Sequence, residues 1–158
     1  MGYLNYELIS DYSGENFKII KNNNNVAIHF SNYSFDDSNY VDYACRDYNF
    51  DNLSTCLIAG LGLGIIPTWI TTNYSNCEVD VIEIDGELVE VIYNMNYLNS
   101  NINIVNEDIF NYIPTKTYDL IIFDIWGTDE PNIENDVNTL YTKFLPFASS
   151  DRLSFPFV

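Results

Sequence analysis

Three glycines at alternate positions, in Ile58-Ala59-Gly60-Leu61-Gly62-Leu63-Gly64-Ile65, stand between the apolar run TCLIAG and a segment that reads as a helix from about Gly64 to Asn73. A glycine-rich turn from strand to helix lets backbone pass close to a ligand or a neighbouring element where a Cβ would block it. The same alternation continues along the chain. EVDVIEI reads as a strand, Gly86 to about Tyr97 as a helix, and NINIV as a strand followed by a short helix after Asp108. YDLIIFD then reads as a strand, Glu134 to about Leu145 as a helix, and RLSFPFV as a last strand. Short β-branched strands separated by crossover helices define a parallel sheet covered on both faces. Right-handed crossovers make this an α/β fold with a doubly wound, mostly parallel Rossmann-like sheet. Its ligand is expected beyond the carboxyl ends of the strands, at the topological switch point.

The first 35 residues follow a different pattern. YELIS, NFKII and VAIHF mix apolar and polar residues and are separated by Ser13-Gly14 and the run Asn22 to Asn25, which predicts a small antiparallel β ribbon. Residues 36–48 read as a short helix with Asp36, Asp37 and Ser38 as candidates for its N-cap. The expected organisation is a ribbon over 1–35 and a Rossmann-like nucleoside-binding domain over 36–158.

Charge narrows the partners. Among 158 residues, 23 acidic and 6 basic side chains give a formal net charge of −17. Lys18, Lys21, Arg46, Lys116, Lys143 and Arg152 are scattered, so no basic stripe meets a phosphate backbone, and nucleic acid is not an expected partner. The field favours a cationic small molecule, although acidity also serves solubility. Cys45, Cys56 and Cys77 are odd in number and lack C-x-x-C spacing, which suggests neither a disulfide framework nor a zinc site. MGYLNYELIS is not a secretory leader, and no apolar run reaches the length of a membrane span. The expectation is a cytoplasmic protein with no membrane partner and no metal. His29, between Ile28 and Phe30, has no acid–base or metal partners nearby in sequence and reads as structural or solvent-exposed.

Carboxylates recur where the strands end. Glu83 lies 23 residues beyond Gly60, and it or Asp85 is placed to accept from the hydroxyls of a ribose; strand alternation puts both on one face and does not choose between them. Asp108, just past the third parallel strand, suits the exocyclic amine of an adenine, with Ile84 and Ile109 on either side of the ring; it equally suits a helix N-cap. After the fourth strand, Asp124, Trp126, Asp129 and Glu130 offer carboxylates and an aromatic face, fit to hold a cation or to take a proton from an amine.

The spacing G-x-G-x-G, with Ile65 where a dinucleotide fingerprint wants a further glycine, is that of enzymes using S-adenosylmethionine. Residues from about 54 to 125 resemble a class I S-adenosylmethionine-dependent methyltransferase, and within that superfamily the spermidine synthase (aminopropyltransferase) branch. VDVIEIDGELVEVIYNMNYL is similar to that branch's V-E-I-D-x-x-V-V-E pattern, and Asp36-Asp37-Ser38-Asn39-Tyr40-Val41-Asp42 to its D-E-x-x-Y-H-E segment. The resemblance implies that Gly60, Gly62 and Gly64 line the cofactor, that Glu83 binds its ribose and Asp108 its adenine, and that Tyr40 and Asp42 face the acceptor.

Three departures bear on polyamine chemistry. Leu63 stands where the branch has the aspartate that holds the amine of decarboxylated S-adenosylmethionine, Val41 replaces its histidine, and Gly127 occupies the place of its catalytic aspartate. The nearest substitutes for that base are Asp129 and Glu130. Loss of amine-binding groups favours transfer of a methyl over an aminopropyl group, from S-adenosylmethionine or its decarboxylated form, to a small acceptor. Asp124 or Asp129 would position or deprotonate the nucleophile, and Trp126 would join Tyr40 at the cation. The alternatives are a polyamine aminopropyltransferase, a non-catalytic nucleoside-binding relative and an NAD-linked enzyme. The chain is also short for the family at its C-terminus, so a minimal or truncated version, or an oligomer partner covering the exposed sheet edge, is expected.

Overall fold

The computed structural model describes residues 4–23, 25–31, 33–37, 50–127, 131–149 and 152–156. The ribbon is a four-stranded antiparallel sheet in sequential order, formed by β1 (Tyr12–Ser13), β2 (Phe17–Lys21), β3 (Val26–Phe30) and β4 (Ser34–Asp36). Phe17 pairs with Phe30, Ile19 with Ile28 and Ile28 with Phe35, so one face of the ribbon is apolar and turns to the core. One expectation is corrected here. YELIS is not a strand, because the Asn5 side chain accepts from Glu7 N and starts a one-turn 3-10 helix over Tyr6–Leu8. Asp36 ends β4 opposite Ala27, while the buried Asp37 carboxylate accepts from Val26 N at 3.1 Å and from the Tyr6 hydroxyl. The rest of the expected helix lies outside the described residues.

The second sheet has five parallel strands, β5 (Thr55–Ala59), β6 (Glu78–Glu83), β7 (Ile102–Asn106), β8 (Leu120–Phe123) and β9 (Leu153–Ser154), in the spatial order β7-β6-β5-β8-β9. The helices are α1 (Ile65–Asn73), α2 (Gly86–Met95) and α3 (Ile133–Phe144). Strand alternation divides the core in two. Cys56, Ile58, Val79, Val81, Leu120 and Ile122 face Ile66 and Ile70 of α1, Leu88 and Ile92 of α2, and Phe17, Ile19 and Ile28 of the ribbon. Leu57, Ala59, Ile82, Ile121 and Phe123 face Leu140 and Phe144 of α3. Each fully buried aliphatic or aromatic side chain contributes about 1.5–3 kcal/mol relative to exposure, so the doubly covered strands dominate stability.

The segment after Asp108 forms only a turn, with Asn111 N and Tyr112 N donating to the Asp108 carbonyl. Pro114 lacks an N–H and disfavours a helical Ile113, which stops the expected helix within one turn. A charged group sits in the middle of a central strand. Asp80, in the middle of β6, accepts from the Tyr118 hydroxyl at 2.8 Å, Lys116 Nζ at 3.0 Å and Asn103 Nδ2 at 3.1 Å. Burial alone would raise its pKa, but these hydrogen bonds and the Lys116 charge hold it below the ordinary aspartate value. None of the described helices is long and apolar enough to cross a membrane.

Candidate functional site

The chain runs from β5 outward to β6 and β7, then returns to place β8 on the other side of β5. The switch point is therefore between β5 and β8. Three strand ends are tied together there. Gly60 N donates to Ile82 O at 2.8 Å, and Asp124 N donates to Ala59 O at 2.8 Å. Gly60 has φ +93°, and a Cβ on it would lie 2.1 Å from the Asp124 carbonyl oxygen, so only glycine fits. Gly62 differs. Its φ is +49° and a Cβ there would meet nothing within 4 Å, which leaves its backbone open to a ligand. The turn is further fixed by the buried Tyr97 hydroxyl, which donates to Leu63 O at 2.6 Å.

The turn borders a cavity of about 480 Å³, within the range of small-molecule sites. Gly60, Gly62, Glu83, Ile84, Asp108, Ile109, Asp124 and Trp126 all line it. Gly64 stands just behind as the left-handed N-cap of α1, where a Cβ would press on Leu98.

The structure separates the two acids that sequence left equivalent. Glu83, only 8% exposed, accepts from Leu61 N and from Asp85 N, both at 2.8 Å, and so spans from β6 to the glycine turn. Burial raises its pKa above the ordinary glutamate value, opposed by these backbone donors. Asp85 instead caps α2, accepting from Glu87 N at 3.0 Å and Leu88 N at 3.1 Å.

Asp108 accepts from Phe110 N at 2.9 Å and from Asn111 Nδ2 at 3.2 Å, which fixes its carboxylate at the cavity edge. Ile109 is 5% exposed, whereas Ile84 is 70% exposed, an uncovered aliphatic side chain on the cavity wall. Trp126 is 4% exposed and rests against Phe155 with ring centroids 6.0 Å apart. Tyr40, Asp42 and Asp129 lie outside the described residues.

Sequence reasoning missed the opposite wall. Phe30, Tyr33 and Phe35 of the ribbon and Asp136 of α3 also line the cavity. The ribbon is held over the strand ends by Glu87, which accepts from the Tyr12 hydroxyl and from Glu15 N, both at 2.9 Å. The available signals were the close spacing of Phe30, Tyr33 and Phe35 and the acidic first turn of α3.

The five-stranded order, the glycine turn after β5 and the cavity at the switch point define a Rossmann-like methyltransferase fold with the small antiparallel sheet at its N-terminus. Solved structures share it. Coclaurine N-methyltransferase bound to N-methylheliamine and SAH is similar over 72% of this chain and 33% of its own, with a TM-score of 0.55 and 22% identity. Human N-acetylserotonin methyltransferase in complex with SAM is similar over 72% of this chain and 31% of its own, with a TM-score of 0.57 and 17% identity. In sequence, malonyl-[acyl-carrier protein] O-methyltransferase 1 of Ilyobacter polytropus is 31% identical over 87 residues, 53% of this chain and 32% of the relative. The chain thus spans about a third of the length of each. It matches no protein-family profile.

Proposed function

We propose that the chain binds S-adenosylmethionine and transfers its methyl group to a small-molecule acceptor. The observation that carries this reading is the convergence of the open Gly62 backbone, the Glu83 carboxylate and the Asp108 carboxylate on one cavity. When bound, the cofactor supplies an electrophilic methyl carbon on a sulfonium. Each assigned residue has a distinct task. Gly60, Gly62 and Gly64 shape a turn against which the cofactor lies, and Glu83 accepts from the ribose hydroxyls with lone pairs left over from Leu61 N and Asp85 N. Asp108 accepts from the adenine amine, and the exposed face of Ile84 gains burial against the ring, with Ile109 on its other side. Asp124, on the cavity wall beyond β8, positions the nucleophile or takes its proton. The resemblance assigns Tyr40 and Asp42 to the acceptor side; Asp129 is a substitute in sequence for the branch's base, and Trp126 lines the cavity. Likeness to methyltransferases in both sequence and fold supports methyl transfer.

A second reading, aminopropyl transfer within the spermidine synthase-like branch, is favoured by charge. Glu83, Asp85, Glu107, Asp108, Asp124 and Asp136 all line the cavity, and decarboxylated S-adenosylmethionine carries more net positive charge than its parent. Against it, the buried Leu63 offers the cofactor amine no carboxylate. Calorimetric titration with both compounds separates the two. Tighter binding of S-adenosylmethionine supports methyl transfer, tighter binding of the decarboxylated form supports aminopropyl transfer, and binding of neither overturns both.

A further inference from the structure

The nucleoside assignment uses the strand ends and leaves the ribbon wall unoccupied. That wall is aromatic. Tyr33 lies in the connection from β3 to β4, closed by Tyr33 O accepting from Phe30 N at 2.8 Å. Its ring centroid is 4.9 Å from that of Phe30 and 5.3 Å from that of Phe35, and all three half-buried rings line the cavity. The wall is also seated on the site loop, because a Cβ on Gly127 would lie 2.5 Å from Tyr33 Cδ1. Gly127, which stands in sequence where the spermidine synthase branch has its catalytic aspartate, is thus the place where the Tyr33 ring rests. Facing the same space are Asp124, from the loop after β8, and Asp136, from α3.

We propose that Phe30, Tyr33 and Phe35 form the acceptor subsite and that it takes an arylalkylamine, its flat ring against theirs and its ammonium toward Asp124 and Asp136. The inference rests on the cofactor reading above. Aromatic pairs in offset or edge contact gain more than the area they bury accounts for. The acidic lining attracts an ammonium and repels a carboxylate, and aromatic faces add cation–π attraction. An aliphatic amine meets the charge and the cation–π faces but brings no ring to stack, and an aromatic acid brings a ring against a field that repels it. The subsite selects a molecule with both features.

Three probes separate these contributions on the full chain. S-adenosylhomocysteine is titrated first by calorimetry, and the saturated protein is then titrated with tryptamine, indoleacetate and putrescine. The expected result is that tryptamine binds at least about tenfold more tightly than either of the others. Tyr33→Leu and Phe35→Leu are expected to weaken tryptamine by about tenfold while leaving S-adenosylhomocysteine affinity unchanged. Equal affinity for tryptamine and either comparison probe, or undiminished tryptamine binding in both variants, overturns the proposal while the cofactor reading stands. If S-adenosylhomocysteine does not bind the wild-type chain, the cofactor reading fails and the acceptor subsite fails with it.

Discussion

At Gly60 an added methyl group would meet the Asp124 carbonyl 2.1 Å away; at Gly62 it would meet nothing within 4 Å. Both residues have positive φ, so any substitution costs about 1–2 kcal/mol in backbone strain alone. Gly60→Ala adds a clash with backbone that cannot yield, and is expected to lower thermal stability by well over ~2 kcal/mol. Gly62→Ala should stay folded, with a loss near ~1 kcal/mol, and show its effect in ligand binding. Thermal melts of the two variants check the contrast.

Glu83 gives a pH test at the same scale. Burial raises its folded-state pKa, so between the ordinary glutamate value and that raised value the folded chain holds a proton the unfolded chain has released. Stability from this group is fully present below the ordinary value and is lost as pH rises through the raised one. Ligand binding has the opposite sign, since only the carboxylate accepts from both backbone N–H groups and a ribose. Affinity for S-adenosylhomocysteine should therefore fall on acidification with a midpoint above the ordinary glutamate value, and Glu83→Gln should remove that dependence. A binding midpoint at or below the ordinary value would show that Glu83 does not contact the ligand.

Elements differ in how openly the sequence declares them. β5, β6 and β8 are buried on both faces, and the apolar runs of β5 and β8, with the β-branched residues of β6 around Asp80, made the strands, their parallel order and the glycine turn readable. YELIS failed because a short apolar run has no periodicity to separate a strand from a turn, and Asn5 decided the matter by capping. The choice between Glu83 and Asp85 needed the exact end of β6, and Asp85 lies past it. The aromatic wall depends on contacts between the ribbon and a loop roughly a hundred residues later, such as Tyr33 with Gly127, which no local pattern encodes.

The ribbon's position rests in part on Glu87 at the start of α2. Glu87→Ala removes the acceptor of Tyr12 and Glu15 and is expected to cost about 1–2 kcal/mol, with faster proteolysis in residues 12–36 than in the parallel sheet. Unchanged cleavage of the ribbon would show that its apolar face alone holds it in place.

At the scale of the whole molecule, one sheet order brings the glycine turn, Glu83 and Asp108 to a single cavity, and the ribbon closes its far side. The net charge of −17 places the same molecule in a field that draws cations toward that cavity. The central claim is that the cavity is a nucleoside-cofactor site whose floor is the Gly62 backbone. Calorimetric titration of the wild-type chain and of Gly62→Ala with S-adenosylhomocysteine tests it most directly. The account predicts saturable one-site binding to the wild type and a loss of at least about tenfold in a variant that remains folded. No binding to the wild-type chain, or equal binding to both, would contradict it.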